Sequence, residues 1–254
     1  MSPGEALAIF GVGLAAGTIN TIVGSGSLIT FPTLLAFGYS PVVANVTNTI
    51  GLVPGSLSGA YGYRRELQGQ RPRLVRLGIA STAGGITGAV ALLVLPGSVF
   101  KSIVPVLILV ACALVAAQPR LSAWLVKRRE AADAPQPAHG GPGLFATVYL
   151  TGVYGGYFGA AQGVILIALL GIFIADDLQR LNATKNVLAA LVNGVAALLF
   201  IVFSHVVWSV AAVLALGAVV GGQVGATLGR RLPAPLLRGA IVVVGTAVAI
   251  RLLV

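Results

Sequence analysis

Acidic residues are scarce in this chain, six among 254 residues against sixteen Lys and Arg. Glu5, Glu66, Glu130, Asp133, Asp176 and Asp177 all fall in tails, loops or the ends of apolar runs. No carboxylate is therefore placed to carry protons through an apolar core, and no pair is placed for acid–base catalysis. Histidine is rarer still: His139 sits in a polar stretch and His205 at the end of an apolar run, which leaves no cluster with metal-ligand spacing. Cys112 is the single cysteine and lies within an apolar run, so it reads as a small buried hydrophobe, with no intrachain disulfide and no cysteine metal site. These absences speak against an enzyme, and no cofactor is expected.

Charge of either sign is thin as well. With 57% hydrophobic and 9% charged residues, the chain has more apolar surface than one soluble core could hide, and its apolar runs reach membrane-spanning length. An integral membrane protein in a lipid bilayer is expected. The formal charge of +10 could suggest nucleic acid, but the basic residues gather in short loops between apolar spans, the signature of cytoplasmic loops. Nucleic acid is excluded as a partner.

What the chain does have is a copy of itself. Gly26, Asn45 and Thr47 recur as Gly163, Asn182 and Thr184, each displaced by the same constant offset. Gly84-Gly85, Gly88-Ala89 and Leu95-Pro96 return at that offset as Gly221-Gly222, Gly225-Ala226 and Leu232-Pro233, and basic Lys101 as Arg238. One ungapped offset that includes Asn, Thr and Leu-Pro marks a tandem duplication. Residues 1–118 form one membrane repeat, 119–142 a basic linker and 143–254 the second repeat.

Each copy begins with an interrupted apolar stretch. The run from Gly4 to Val23 lacks a basic n-region and is read as retained structure rather than a signal sequence. Gly24-Ser25-Gly26-Ser27 breaks the pattern, and the next apolar piece, Leu28 to Phe37, is too short to cross a membrane of about 30 Å. A helix hairpin joined within the bilayer fits, because irregular backbone at that depth must be buried in protein or face a cavity. Spans of about 42–63, 77–95 and 100–118 follow. The second copy gives a hairpin over about 144–174, broken near Ala161-Gln162-Gly163, and spans of about 183–203, 208–229 and 235–253. The linker reads as a flexible cytoplasmic connection, with a short amphipathic surface helix beginning at Leu121 to Leu125.

The charges of the two copies lie on opposite sides. Arg64, Arg65, Arg71, Arg73 and Arg76 fill the first loop between full spans, whereas the equivalent residues 201–213 have no Arg or Lys; at the next loop Arg230, Arg231 and Arg238 face only Lys101. A hairpin plus three spans is an odd number of crossings, so parity agrees. The expected fold is an all-α polytopic membrane protein of two inverted-topology repeats, each a broken hairpin plus three transmembrane helices. Both termini are expected outside the cytoplasm, in an inner-membrane protein whose linker is cytoplasmic; a homodimer is compatible with this plan.

The glycine-broken hairpin followed by a polar Asn/Thr segment, given twice around a basic linker, resembles the TauE/SafE family of sulfite and organosulfur anion exporters. Family members carry consecutive glycines and a proline in each hairpin; this chain has GSGS with Pro32 first and AAQG without proline second. The resemblance implies transport of a small sulfur-containing anion such as sulfite or a sulfonate.

The residues themselves suit an anion. A helix that starts inside the membrane offers unpaired N–H groups and the positive end of its dipole, and glycine lets a ligand approach the backbone. Two such starts would face each other near the midplane. Gly24, Ser25, Gly26 and Ser27 come from the first break and Gln162 and Gly163 from the second, while Asn45, Thr47, Asn48, Asn182, Thr184 and Asn186 open the spans that follow. Intramembrane Asn and Thr also tie helices together, and Gly84, Gly88, Gly221 and Gly225 have the small-xxx-small spacing of close helix packing. Lys185 aligns with Asn48 and has no carboxylate at helical spacing; about 10 Å into its span it either attracts an anion or snorkels to the cytoplasmic interface. With no buried carboxylate, the driving force expected is the membrane potential, and a channel of the same architecture is the alternative to a carrier.

Overall fold

The first helix, α1 (Pro3–Ile22), opens on a reciprocal cap. The Glu5 amide donates to Ser2 Oγ at 3.2 Å and the Ser2 amide to Glu5 Oε2 at 2.7 Å, while Pro3 needs no partner for a first-turn N–H. The computed structural model describes residues 1–130, 141–228 and 234–253, and within them the chain is helical with no strand. After α1 come α2 (Ser27–Ala36), α3 (Pro41–Gly62), α4 (Arg71–Val94), α5 (Gly97–Glu130), α6 (Pro142–Tyr157), α7 (Gln162–Phe173), α8 (Leu178–Phe203), α9 (Trp208–Leu228) and α10 (Ala234–Leu253). Five of these, α1, α4, α5 over Gly97–Arg120, α8 and α9, are long and apolar enough to cross a membrane. Large apolar side chains such as Leu7, Val94, Leu198, Phe203 and Leu216 stand exposed on their outer faces, where lipid rather than water covers them.

The two interrupted stretches are helix hairpins. α1 stops at Gly24, whose φ of +89° suits glycine, and α2 runs for 10 residues, about 15 Å and half the hydrocarbon thickness. α6 stops before Gly159, φ +77°, and Ala161, φ +58°; α7 then runs for 12 residues. Ala161 holds a left-handed conformation that costs a side-chain-bearing residue about 1–2 kcal/mol. The Tyr154 hydroxyl braces that turn by donating to the Ala160 carbonyl.

The copies interleave. α1 packs on α9 and α6 on α4; α3 packs on α9 and α8 on α4; α2 meets α10 and α7 meets α5. Every one of these pairs has a counterpart with the copies exchanged. Glycine makes the closest approaches possible: a Cβ at Gly88 would stand 2.0 Å from the Val153 carbonyl of α6, and one at Gly221 2.0 Å from the Leu14 carbonyl of α1. Gly84 and Gly225 sit in the same two seams, against Tyr149 and Thr18, so these four glycines serve helix packing.

Hydrogen bonds also fix the relative direction of α3 and α8. Gln70, beyond the end of α3, accepts from Thr184 near the start of α8 at 2.8 Å, and Thr47 near the start of α3 accepts from the Val207 amide beyond the end of α8 at 3.2 Å. The two helices therefore run antiparallel. Where they cross, Asn193 reaches Ser56 at 3.5 Å.

One expectation needs correction. No separate surface helix begins at Leu121, because α5 runs unbroken from Gly97 to Glu130. Pro119 removes one backbone donor without ending the helix, and no glycine intervenes to stop it. Residues 119–130 of the expected linker are thus helical; residues 131–140, with His139, and residues 229–233, with Arg230 and Arg231, lie outside the described residues.

Candidate functional site

The two hairpin breaks meet. The Gly163 amide donates to the Gly24 carbonyl at 3.1 Å, and a Cβ on either glycine would come within 2.4 Å of the other's Cα. Only two glycines can bring the tips this close. Asn20 spans the first break, its Oδ1 accepting from the Gly26 amide at 2.7 Å.

A cavity lies beside this junction. Of the residues anticipated from sequence, Gly24, Ser27, Gln162, Gly163, Lys185 and Asn186 line it, together with Asn20, Thr21, Ser56, Gly159 and Asn193. No Asp or Glu is among its lining residues, and Lys185 is its cation. The space open to water centres is about 20 Å³, close to the roughly 10–15 Å³ that one water needs. The site has room for about one water.

Lys185 is 1% exposed and does not snorkel. Its Nζ donates to the Asn20 and Thr21 carbonyls at 3.1 and 3.2 Å. These are among the last carbonyls of α1, which have no partner within the helix and carry the negative end of its dipole. Asn182 and Asn186 donate to the same Thr21 carbonyl at 3.2 and 3.3 Å. The ammonium has a third N–H to offer the cavity.

The remaining anticipated residues are buried away from the cavity. Asn45, the counterpart of Asn182, donates to the Tyr157 carbonyl at 3.0 Å, so each of the two recurring Asn residues caps the broken helix of the other copy. Asn48 accepts from Thr30 and donates to Ser27 Oγ at 3.3 Å. Thr47 and Thr184 bond the loops at opposite ends, as described above. Gly26 caps α2 and packs on the Ala16 carbonyl, where a Cβ would stand at 2.3 Å. Ser25 is 1% exposed with its hydroxyl unpartnered, and Gln162, 3% exposed, has its Nε2 unpartnered.

One residue group was missed by sequence reasoning. Above Lys185, Arg73 donates to Asp176 Oδ2 and to Gln70 Oε1, each at 2.7 Å, and Arg180 Nε donates to Asp176 Oδ1 at 2.9 Å. Gln70 also donates to the Arg180 carbonyl at 3.2 Å, and Arg180 to the Gln68 carbonyl at 3.2 Å. Burial alone would raise the Asp176 carboxyl, but the Arg73 hydrogen bond, the Asp177 amide and the charges of Arg73 and Arg180 together hold it below the ordinary value of 3.8. Arg73 pairs with an aspartate far along the chain, which leaves no spacing signal, and only the Asp176–Arg180 pair, four residues apart, is visible in the sequence. Ser56 and Asn193 could have been found, because they too are equivalent positions of the two repeats. Among the described residues, no three His, Cys, Asp or Glu side chains gather to hold a metal.

Comparison with known proteins bears on the role of this arrangement. The family described as "Sulfite exporter TauE/SafE" matches residues 9–252. "Probable membrane transporter protein ORF9" of Sinorhizobium sp is 29% identical over 249 residues, covering 96% of this chain and 91% of the relative. "Probable membrane transporter protein YfcA" of Escherichia coli K12 is 29% identical over 247 residues, covering 96% and 88%. A "Probable membrane transporter protein" of Haemophilus influenzae is 27% identical over 233 residues, covering 90% and 88%. No solved structure matches the chain.

Proposed function

The chain belongs to the TauE/SafE sulfite exporter family, a multi-pass membrane transporter rather than an enzyme, and from that premise we propose that it exports a small sulfur-containing anion, sulfite or an organosulfonate, by alternating access at the cavity between the hairpins. The observation that carries this reading is the cavity lining: one buried lysine, several amide and hydroxyl donors, and no carboxylate. Such a lining attracts an anion, and a single cation among neutral donors holds it weakly enough to leave. The cavity's small size, about 20 Å³ of space for water centres, suits a carrier, which must rearrange to admit an anion of several heavy atoms, better than a channel, which needs a continuous path.

In this reading Gly24, Ser27, Gln162 and Gly163 face the anion from the hairpin tips, Ser25 and Gly26 complete the first tip behind them, and Lys185 with Asn186 supplies the donors opposite. Asn45, Thr47, Asn48, Asn182 and Thr184 set the helix ends around them. The repeats are inverted about an axis in the membrane plane: antiparallel α3 and α8, the exchanged helix pairings and the one-sided arginines all support this. Placing Arg64, Arg65, Arg71, Arg73 and Arg76 in the cytoplasm puts both termini outside it, in an inner membrane, and residues 119–142 on the cytoplasmic side.

The test is uptake of radiolabelled sulfite, thiosulfate and a small sulfonate into proteoliposomes. One anion is expected to enter with saturation. Lys185→Ala should lower its uptake at least about tenfold at sub-saturating concentration, the cost of one charge-assisted hydrogen bond of about 1.5–3 kcal/mol. Native uptake of none of the three would reject the substrate, and uptake that never saturates would favour a channel.

A further inference from the structure

The two hairpin tips hold a pair of orphans at matching positions. Ser25 and Gln162 are equivalent residues of the two repeats, separated by the same offset as Gly26 and Gly163, and each stands at the start of a membrane-interior helix, α2 or α7. Both are buried, at 1% and 3% exposure, and Ser25 Oγ and Gln162 Nε2 each lack a hydrogen-bond partner. Burying a polar atom unpaired is costly, and two such atoms at equivalent places point to a ligand that satisfies each in turn. Gln162 lines the cavity beside the hairpin junction and Ser25 does not.

The surroundings of the pair are unequal. Gln162 shares its cavity with Lys185 and Asn186, whose equivalents in the first copy are the uncharged Asn48 and Thr49. The cavity wall at Asn20 and Thr21 corresponds to Tyr157 and Phe158 in the other copy. Aromatic rings pack there: Phe158 lies edge-on to Phe31 with centroids 5.3 Å apart, and Phe100 lies edge-on to Tyr157 at 5.5 Å and to Phe158 at 6.1 Å. The charged half lies toward the arginine-rich loop, because Thr184, next to Lys185, bonds Gln70 of that loop.

We propose that the transporter has two anion positions used in turn, a charged one at Gln162 and Lys185 reached from the arginine-rich end, and a neutral one at Ser25 that opens to the opposite end when the aromatic cluster parts. This rests on reading the hairpin junction as the anion site. The ligand is a small oxyanion, able to accept two N–H groups from Gln162 and then the single O–H of Ser25. Capture by a cation and release beside neutral groups gives a tighter grip facing the arginine-rich end than facing away from it, while the net direction is set by the anion gradient and the membrane potential.

Two measurements test the proposal. In proteoliposomes of defined orientation, Gln162→Ala should raise the half-saturating sulfite concentration about tenfold from the arginine-rich side and less than twofold from the other, with Ser25→Ala doing the reverse. Independently of the anion carried, Ser25→Cys and Gln162→Cys, each in a Cys112→Ala background, should react with impermeant thiol reagents from opposite sides. Reaction of both cysteines from the same side, or substitutions that weaken the same side alike, would overturn the two-position scheme. If the labelling is two-sided while no sulfite moves in the native protein, the scheme stands and the substrate reading fails.

Discussion

A single methyl group tests how the hairpin tips are joined. Gly163→Ala would place its Cβ 2.4 Å from the Gly24 Cα, a clash with backbone that no rotamer relieves. The tips must part, breaking the Gly163 amide bond to Gly24. The expected cost is about 1–3 kcal/mol, read as a lower melting temperature of the purified protein and a fall in uptake; an unchanged melting temperature would mean the tips are not held together. At this scale the sequence was informative where chemistry broke a pattern. Gly24, Ser27, Gln162 and Gly163 interrupt apolar runs, and Lys185 puts a charge inside one, so the cavity takes in residues that could be named beforehand. Asn20 and Ser56 looked like any polar residue in a membrane helix, since nothing local says which face of a helix meets a cavity. Thr47 and Thr184 recur for another reason: each bonds the loop at its own end of the molecule, away from the cavity.

The helix ends above Lys185 are joined by charge, and their counterparts are not. Arg73, Asp176, Arg180 and Gln70 tie the start of α4 to the start of α8. The positions equivalent to Gln70 and Arg73 at the other end are Val207 and Val210, and Thr47 meets only a backbone amide there. Asp176→Asn should lower stability by about 2 kcal/mol at neutral pH, the worth of a hydrogen bond to a charged group. The pH sign follows from the depressed carboxyl: its stabilisation is present above the ordinary value of 3.8 and is lost as pH falls through the lower folded value. Thermal melts of the native protein should therefore decline in that acid window, and those of the variant should decline less; parallel curves would remove Asp176 from the account. Element positions were largely readable, because Gly24, Pro41, Pro96-Gly97 and Ala161-Gln162-Gly163 punctuate long apolar runs. The far end of α5 was not, since Pro119 and the polar residues after it look like a linker until the helix is seen to continue through them.

Across the whole molecule, the copies form one interleaved body, with α1 against α9 and α6 against α4. Neither copy alone encloses the cavity, whose walls come from α1, α2, α3, α7 and α8 and from the turns at Gly24 and Gly159. The constant offset between equivalent residues is visible in the sequence, but which helix before the linker would lie against which after it was not, since every apolar face in a membrane helix looks alike from sequence. The balance of charge in the assembled cavity bears on what drives transport. A monovalent anion that pairs with Lys185 crosses with no carboxylate in the cavity to bring a compensating proton. Each such anion leaving a cell is favoured by about 2.3 kcal/mol per 100 mV of membrane potential, close to fiftyfold in the equilibrium concentration ratio. Proteoliposomes holding a potassium gradient, with valinomycin to set the potential, should accumulate a small sulfonate, which stays monovalent, by about that factor when the interior is about 100 mV positive. They should respond little to a pH gradient imposed at zero potential. Accumulation that ignored the potential and followed the pH gradient would mean that a proton travels with the anion, and Lys185, the titratable side chain lining the cavity, would then be the group to test as its carrier.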